Sequence, residues 1–113
     1  MVKPEDIQSV FFLGIGGIGM SALARYFHIR GYRVAGYDRT PSPLTQELEH
    51  EGIVITYEDD VEWFEKLLLP QKHTLVVRTP AVPEETALCI HLRAKNYAML
   101  KRAEVLGFIT KQM

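Results

Sequence analysis

The sequence predicts an α/β fold: a doubly wound, five-stranded parallel sheet between two layers of helices. Three observations carry that expectation. Five short runs, Ser9 to Leu13, Arg33 to Asp38, Ile53 to Tyr57, Thr74 to Thr79 and Ala98 to Lys101, alternate with segments of helical periodicity. The runs are mostly continuous in apolar residues, as strands covered on both faces must be. The first run leads directly into Gly14-x-Gly16-x-x-Gly19 and then into a helical segment, the strand–turn–helix order in which such glycines serve phosphate binding. Right-handed crossovers reduce the topologies to the order 3-2-1-4-5, with a ligand crevice where the order reverses, at the carboxyl ends of strands one and four.

Taken in order, strand one is Ser9 to Leu13 and the first helix runs from Gly17 to Arg30, with Met20, Leu23, Ala24 and Phe27 inward and Gly31 as its stop. Gly14 is expected to turn the chain sharply off the strand. Gly16 removes a Cβ that would hold a phosphate away, Gly19 lets helix and strand pack closely, and Gly17 opens the turn further. The helix then aims its unpaired N–H groups and its positive dipole end at the phosphate. A glycine-rich turn serving only tight packing is the bland alternative. Strand two ends at Asp38, 19 residues beyond Gly19, where a dinucleotide fold places an acid against a ribose; a plain turn residue is the other reading.

Ser42 is placed as an N-cap with Pro43 at the first helical position, Leu44 and Leu48 inward and Gly52 as the stop. After strand three, Asp59 or Asp60 caps a helix with Val61, Phe64 and Leu68 on one stripe, Trp63 and Leu67 beside it, and Pro70 at its end. Beyond strand four, Glu84 to Lys95 is expected to be helical, with Leu88 and Leu92 inward and Asn96 as a left-handed stop. The fifth strand, Ala98 to Lys101, leads into an amphipathic segment from Arg102 through Val105, Leu106 and Ile109 to Met113. This topology gathers Gly16 to Gly19, Asp38 and Thr79 to Ala81 around one cleft.

With 113 residues, 47% hydrophobic and 24% charged, the chain has the size and composition of one soluble domain. A net charge of −1 with interspersed signs gives no nucleic-acid or anionic-membrane surface. The single cysteine, Cys89, excludes an intrachain disulfide, fits a reducing compartment and falls where a helix would bury it. Ser9 to Ala24 is uncharged but short for a bilayer and carries four glycines. Met1 to Asp6 lacks the basic profile of a signal peptide. A cytoplasmic location is expected.

Catalytic machinery is sparse. His28, His50, His73 and His91 are scattered without metal-ligand spacing, so no metal site is expected. Without a Gly-x-Ser-x-Gly elbow, Ser21 reads as a first-turn hydroxyl available to a phosphate oxygen. There is no Gly-Lys-Thr loop for ATP. Arg78 and Arg102 are candidate partners for phosphate or carboxylate, or equally solvated surface charges. The residues themselves describe a nucleotide-binding domain with no catalytic residues.

Phe12-Leu13-Gly14-Ile15-Gly16-Gly17-Ile18-Gly19-Met20-Ser21, Gly31-Tyr32-Arg33-Val34-Ala35-Gly36-Tyr37-Asp38 and Lys101-Arg102-Ala103-Glu104-Val105-Leu106 resemble the N-terminal domain of the Mur ligases, in the branch that joins L-alanine to UDP-N-acetylmuramate for peptidoglycan. The resemblance implies a Rossmann-like domain that binds the UDP portion of that sugar nucleotide. It implies an ADP-forming ligase whose central domain uses ATP and Mg²⁺ to make an acyl phosphate, attacked by the L-alanine amine, and whose C-terminal domain takes the amino acid. This stretch alone is then expected to bind substrate without ligating it. The residues implied are Gly16, Gly17, Ile18 and Gly19 through their backbone at the diphosphate, Ser21, Asp38 and Thr79 through side chains at phosphate, ribose or uracil, and Arg102. Two positions depart from the family pattern: Tyr37 stands where Gly-Ser-Asp has serine, and Thr79-Pro80-Ala81 replaces Ser-Ser-Ala, so Pro80 gives up a hydroxyl and a backbone donor. A regulatory NAD- or nucleotide-sensing module, or the cofactor half of a dehydrogenase, would share GxGxxG and the acid after strand two.

Overall fold

The computed structural model describes residues 3–110. Its five strands, β1 (Ser9–Leu13), β2 (Arg33–Tyr37), β3 (Val54–Thr56), β4 (Thr74–Arg78) and β5 (Ala98–Lys101), form one parallel sheet in the order β3-β2-β1-β4-β5. The helices are α1 (Ile18–Ile29), α2 (Pro43–His50), α3 (Val61–Lys66), α4 (Ala87–Ala94) and α5 (Arg102–Thr110). Short 3-10 turns at Pro4–Asp6 and Gln71–His73, unforeseen in the sequence, precede β1 and β4. No helix of the described residues is long and apolar enough to cross a membrane.

Alternation along β1 divides the core in two. Val10 and Phe12 face α1, α2 and α5, packing with Met20, Leu23, Ala24, Phe27, Leu48, Val105 and Ile109. Phe11 and Leu13 face α3 and α4, packing with Phe64, Leu88, Cys89 and Leu92. Every β1 residue is buried, which is why Val10 to Leu13 reads as an unbroken apolar run. Gly31, Gly52 and Asn96 adopt the left-handed backbone anticipated at the helix stops.

Five side chains differ from the periodic reading. Thr45, not Leu44, is buried with Leu48, because Ser42 and Thr45 form a reciprocal capping box that turns Thr45 inward. α3 ends before Pro70: Leu68 has φ 55 and is 79% exposed, while Leu69 takes the buried place. Proline disfavours helical backbone in the residue before it, so the chain leaves the helix early. Leu106 is exposed while Val105 and Ile109 are buried; the last positions of this segment, 111–113, lie outside the described residues.

Both acids before α3 are caps, of different helices. Asp60 Oδ1 accepts from the Trp63 N–H and caps α3. Asp59 reaches across to accept the N–H groups of Ala87 and Leu88 at 2.7 and 2.8 Å. The start of α4 at Ala87, rather than at Glu84, follows from that long-range cap. Asp59→Ala should therefore cost about 1–2 kcal/mol, seen as a lower urea midpoint with unchanged slope. An unmoved midpoint would show that water replaces the cap without loss.

Candidate functional site

The site is built at the carboxyl end of β1. Gly14 has φ +96, a conformation that disfavours a side chain, and a Cβ there would stand 2.3 Å from Thr79 Cγ2. The N–H groups of Gly14 and Ile15 both donate to the Tyr37 carbonyl at 2.8 and 3.1 Å, locking the turn to β2. Ile15 is fully buried and packs where Gly36 lacks a Cβ; an added one would meet Ile15 Cδ1 at 2.7 Å. This plug makes the turn rigid. Gly17 then takes the N-cap position of α1 in extended conformation. The N–H groups of Ile18, Gly19 and Met20 have no acceptor among the described residues, leaving the positive end of the helix facing the cleft.

Three elements wall this end. From β2, Asp38 Oδ2 accepts the Gly16 N–H at 2.7 Å and Oδ1 accepts the Thr40 N–H at 3.1 Å. From β4, Thr79 donates its N–H to the Leu13 carbonyl, and its Oγ1 lies 3.5 Å from the Ala81 N–H. From α5, the Arg102 guanidinium lies against Gly19, with Nε 2.2 Å from where a Cβ would be. Between the Asp38 and Thr79 sides is a cleft of about 320 Å³ lined by Gly14, Gly17, Met20, Asp38, Thr79 and Val82 among others, with Arg102 outside that lining.

The structure brings Gly16, Gly17, Ile18, Gly19, Asp38, Thr79 and Arg102 to one end of the sheet, with several roles altered. The space at Gly16 is claimed by Asp38 and Thr45, since a Cβ would lie 2.7 Å from Asp38 Oδ2 and 3.0 Å from Thr45 Cγ2. Its N–H is already given to the Asp38 carboxylate, so the open donors are those of Ile18, Gly19 and Met20. The space at Gly19 accommodates Arg102 and not a strand. Ser21 is buried, and its hydroxyl donates to the Ile18 carbonyl at 2.9 Å, a within-helix bond that turns it from the cleft. Arg78 is tied to Glu84 at 3.1 Å, and Arg93 shares the same carboxylate.

The two departures have separate consequences. The Tyr37 ring is buried in the core layer under α3 and α4, and burial, with Asp59 and Asp38 nearby, raises its phenol pKa. It enlarges the core and leaves Asp38 in place. Pro80 is exposed on the turn after β4, while Thr79 keeps its hydroxyl at the cleft. Sequence reasoning missed Arg39, Thr40, Met20 and Val82 in the lining; adjacency to Asp38 was a signal for the first two.

Residues 9–113 match the family model described as "Mur ligase family, catalytic domain". The chain belongs to the Mur ligase family. It is 49% identical over 104 residues to the UDP-N-acetylmuramate–L-alanine ligase of Porphyromonas gingivalis, covering 92% of this chain. Against the ligase of the same name from Parabacteroides distasonis it is 52% identical over 107 residues, covering 95% of this chain. The crystal structure of UDP-N-acetylmuramate-alanine ligase from Thermotoga maritima superposes with a TM-score of 0.79 at 28% identity, covering 92% of this chain and 23% of that one. This Mur ligase chain spans 23% of the length of the two curated relatives as well.

Proposed function

We propose that this chain is the UDP-sugar-binding domain of a UDP-N-acetylmuramate–L-alanine ligase, acting in peptidoglycan synthesis in the cytoplasm. The observation that carries the reading is the convergence of three open N–H groups, from Ile18, Gly19 and Met20, with the Arg102 guanidinium at the end of β1. Backbone donors and a planar cation are what a diphosphate requires. Asp38 offers its carboxylate to ribose hydroxyls or a uracil N–H, and Thr79 offers its hydroxyl from the opposite wall. The relatives' names supply the substrate, and the GxGxxG turn alone would suit NAD equally.

The domain's share in ligation is positional: fixing the UDP end restricts where the distant muramic carboxylate can lie. ATP and Mg²⁺ belong, in this reading, to the parts of the ligase outside this quarter of its length. The described residues bring no three His, Cys, Asp or Glu together as a metal site, and the sequence has no Gly-Lys-Thr loop. No ligation step is therefore assigned to these side chains.

The test is an ADP-release assay on the chain with UDP-N-acetylmuramate, L-alanine, ATP and Mg²⁺, beside a calorimetric titration of the UDP-sugar. Heat of binding without ADP release is expected. Turnover free of contaminating full-length ligase would contradict the division of labour, and saturable NAD binding without UDP-sugar binding would replace the reading by a nucleotide sensor.

A further inference from the structure

No connecting residue separates β5 from α5: Lys101 ends the strand and Arg102 begins the helix. A helix that starts so abruptly exposes N–H groups that need acceptors. Glu104 answers one of them, its Oε1 accepting the Lys101 N–H at 2.8 Å. This is the carboxylate half of a capping box, with lysine where a hydroxyl residue is usual. The same junction sets the direction of Arg102, whose guanidinium rests on Gly19 of α1. Among the described residues Arg102 has no carboxylate partner. Its aim depends on the backbone that carries it and on the absent side chain at Gly19.

We propose that Glu104 is a positioning residue for the diphosphate: by holding the Lys101 N–H it fixes the first turn of α5 and keeps the Arg102 guanidinium over Gly19. The inference rests on the diphosphate reading of the glycine turn. It also makes a prediction of unusual sign. By charge alone, a carboxylate two residues from a phosphate-binding arginine opposes an anionic ligand, so its removal would tighten binding. Removal is predicted to weaken it instead.

The experiment measures UDP binding by calorimetry for the parent chain, Glu104→Ala, Glu104→Gln, Arg102→Ala and the Glu104→Ala/Arg102→Ala double variant, with thermal unfolding of each. Glu104→Ala should weaken UDP binding about five- to tenfold, the scale of a misplaced charged hydrogen bond. Glu104→Gln keeps a carbonyl acceptor and should bind nearly as the parent does. In the Arg102→Ala background the second substitution should change the dissociation constant no further. A folded Glu104→Ala that binds UDP as well as the parent or better would overturn the proposal. So would an equal loss in the arginine-free background, which marks a general structural role. Where Glu104→Ala does not fold, Glu104→Gln decides: parental binding supports the acceptor role, and a clear change in either direction overturns it. If the parent chain itself does not bind UDP, the diphosphate reading falls and takes this inference with it; a parent that binds UDP with no effect of Arg102→Ala removes this inference alone.

Discussion

Gly19→Val is expected to leave the protein folded and to weaken UDP-sugar binding by roughly a hundredfold or more, since both the cation and the open helix end are lost to the ligand. The space at Gly19 is bounded by the far end of a flexible side chain, with Arg102 Nε, Cζ and Nη2 at 2.2, 2.5 and 2.8 Å from an added Cβ. The guanidinium can swing away at little cost, and valine is a somewhat better helix former than glycine. Stability should therefore be nearly unchanged. The branched side chain then stands over the first turn of α1, with the arginine displaced from it. Gly16→Val makes a useful contrast. Its Cβ would meet the Asp38 carboxylate and Thr45, both held by their own hydrogen bonds, so that variant should lose stability along with binding. Equal unfolding midpoints for the two variants would contradict this distinction.

Asp38→Ala should act on both fold and ligand. The carboxylate is the acceptor for the Gly16 and Thr40 N–H groups, and loss of such a charged acceptor costs about 1.5–3 kcal/mol. For a domain of this size that lowers the melting temperature by roughly 10 °C. The ligand loses its ribose or base contact, and affinity should fall about ten- to a hundredfold. Asp38→Asn separates the effects: one amide oxygen can still accept from Gly16, so the fold should recover more than the affinity does. A calorimetric dissociation constant unchanged in Asp38→Ala would reduce Asp38 to a support for the turn.

Periodicity and turn chemistry made much of this architecture legible. Met20, Leu23, Ala24 and Phe27 are all buried as their spacing required, and the strand order followed from parallel runs and right-handed crossovers. Those signals are local. The contacts that tune the site join residues far apart in sequence: Gly16 to Asp38, Gly19 to Arg102 and Asp59 to Ala87. Each exists because the tertiary fold brings together elements distant in sequence, adjacent strands for the first and non-adjacent ones for the other two, and no spacing rule encodes it. The purpose of each glycine was accordingly half-read. A missing Cβ at Gly16 and at Gly19 was foreseeable, whereas the Asp38 carboxylate and the Arg102 guanidinium that claim those spaces were not. Leu68 shows a different limit: its place on the helical stripe was sound until the helix ended at Lys66, ahead of Pro70.

Amide and arginine-side-chain NMR of the isotopically labelled chain, titrated with UDP-N-acetylmuramate and in parallel with NAD, tests the central claim most directly. Saturable shifts are predicted with UDP-N-acetylmuramate at the amides of Ile18, Gly19 and Met20 and at the Arg102 Nε–H, with the Gly16 amide shifting less because it stays on Asp38. NAD should leave those resonances in place. Saturation by NAD, or a UDP-sugar response confined to residues outside this turn, would contradict the account.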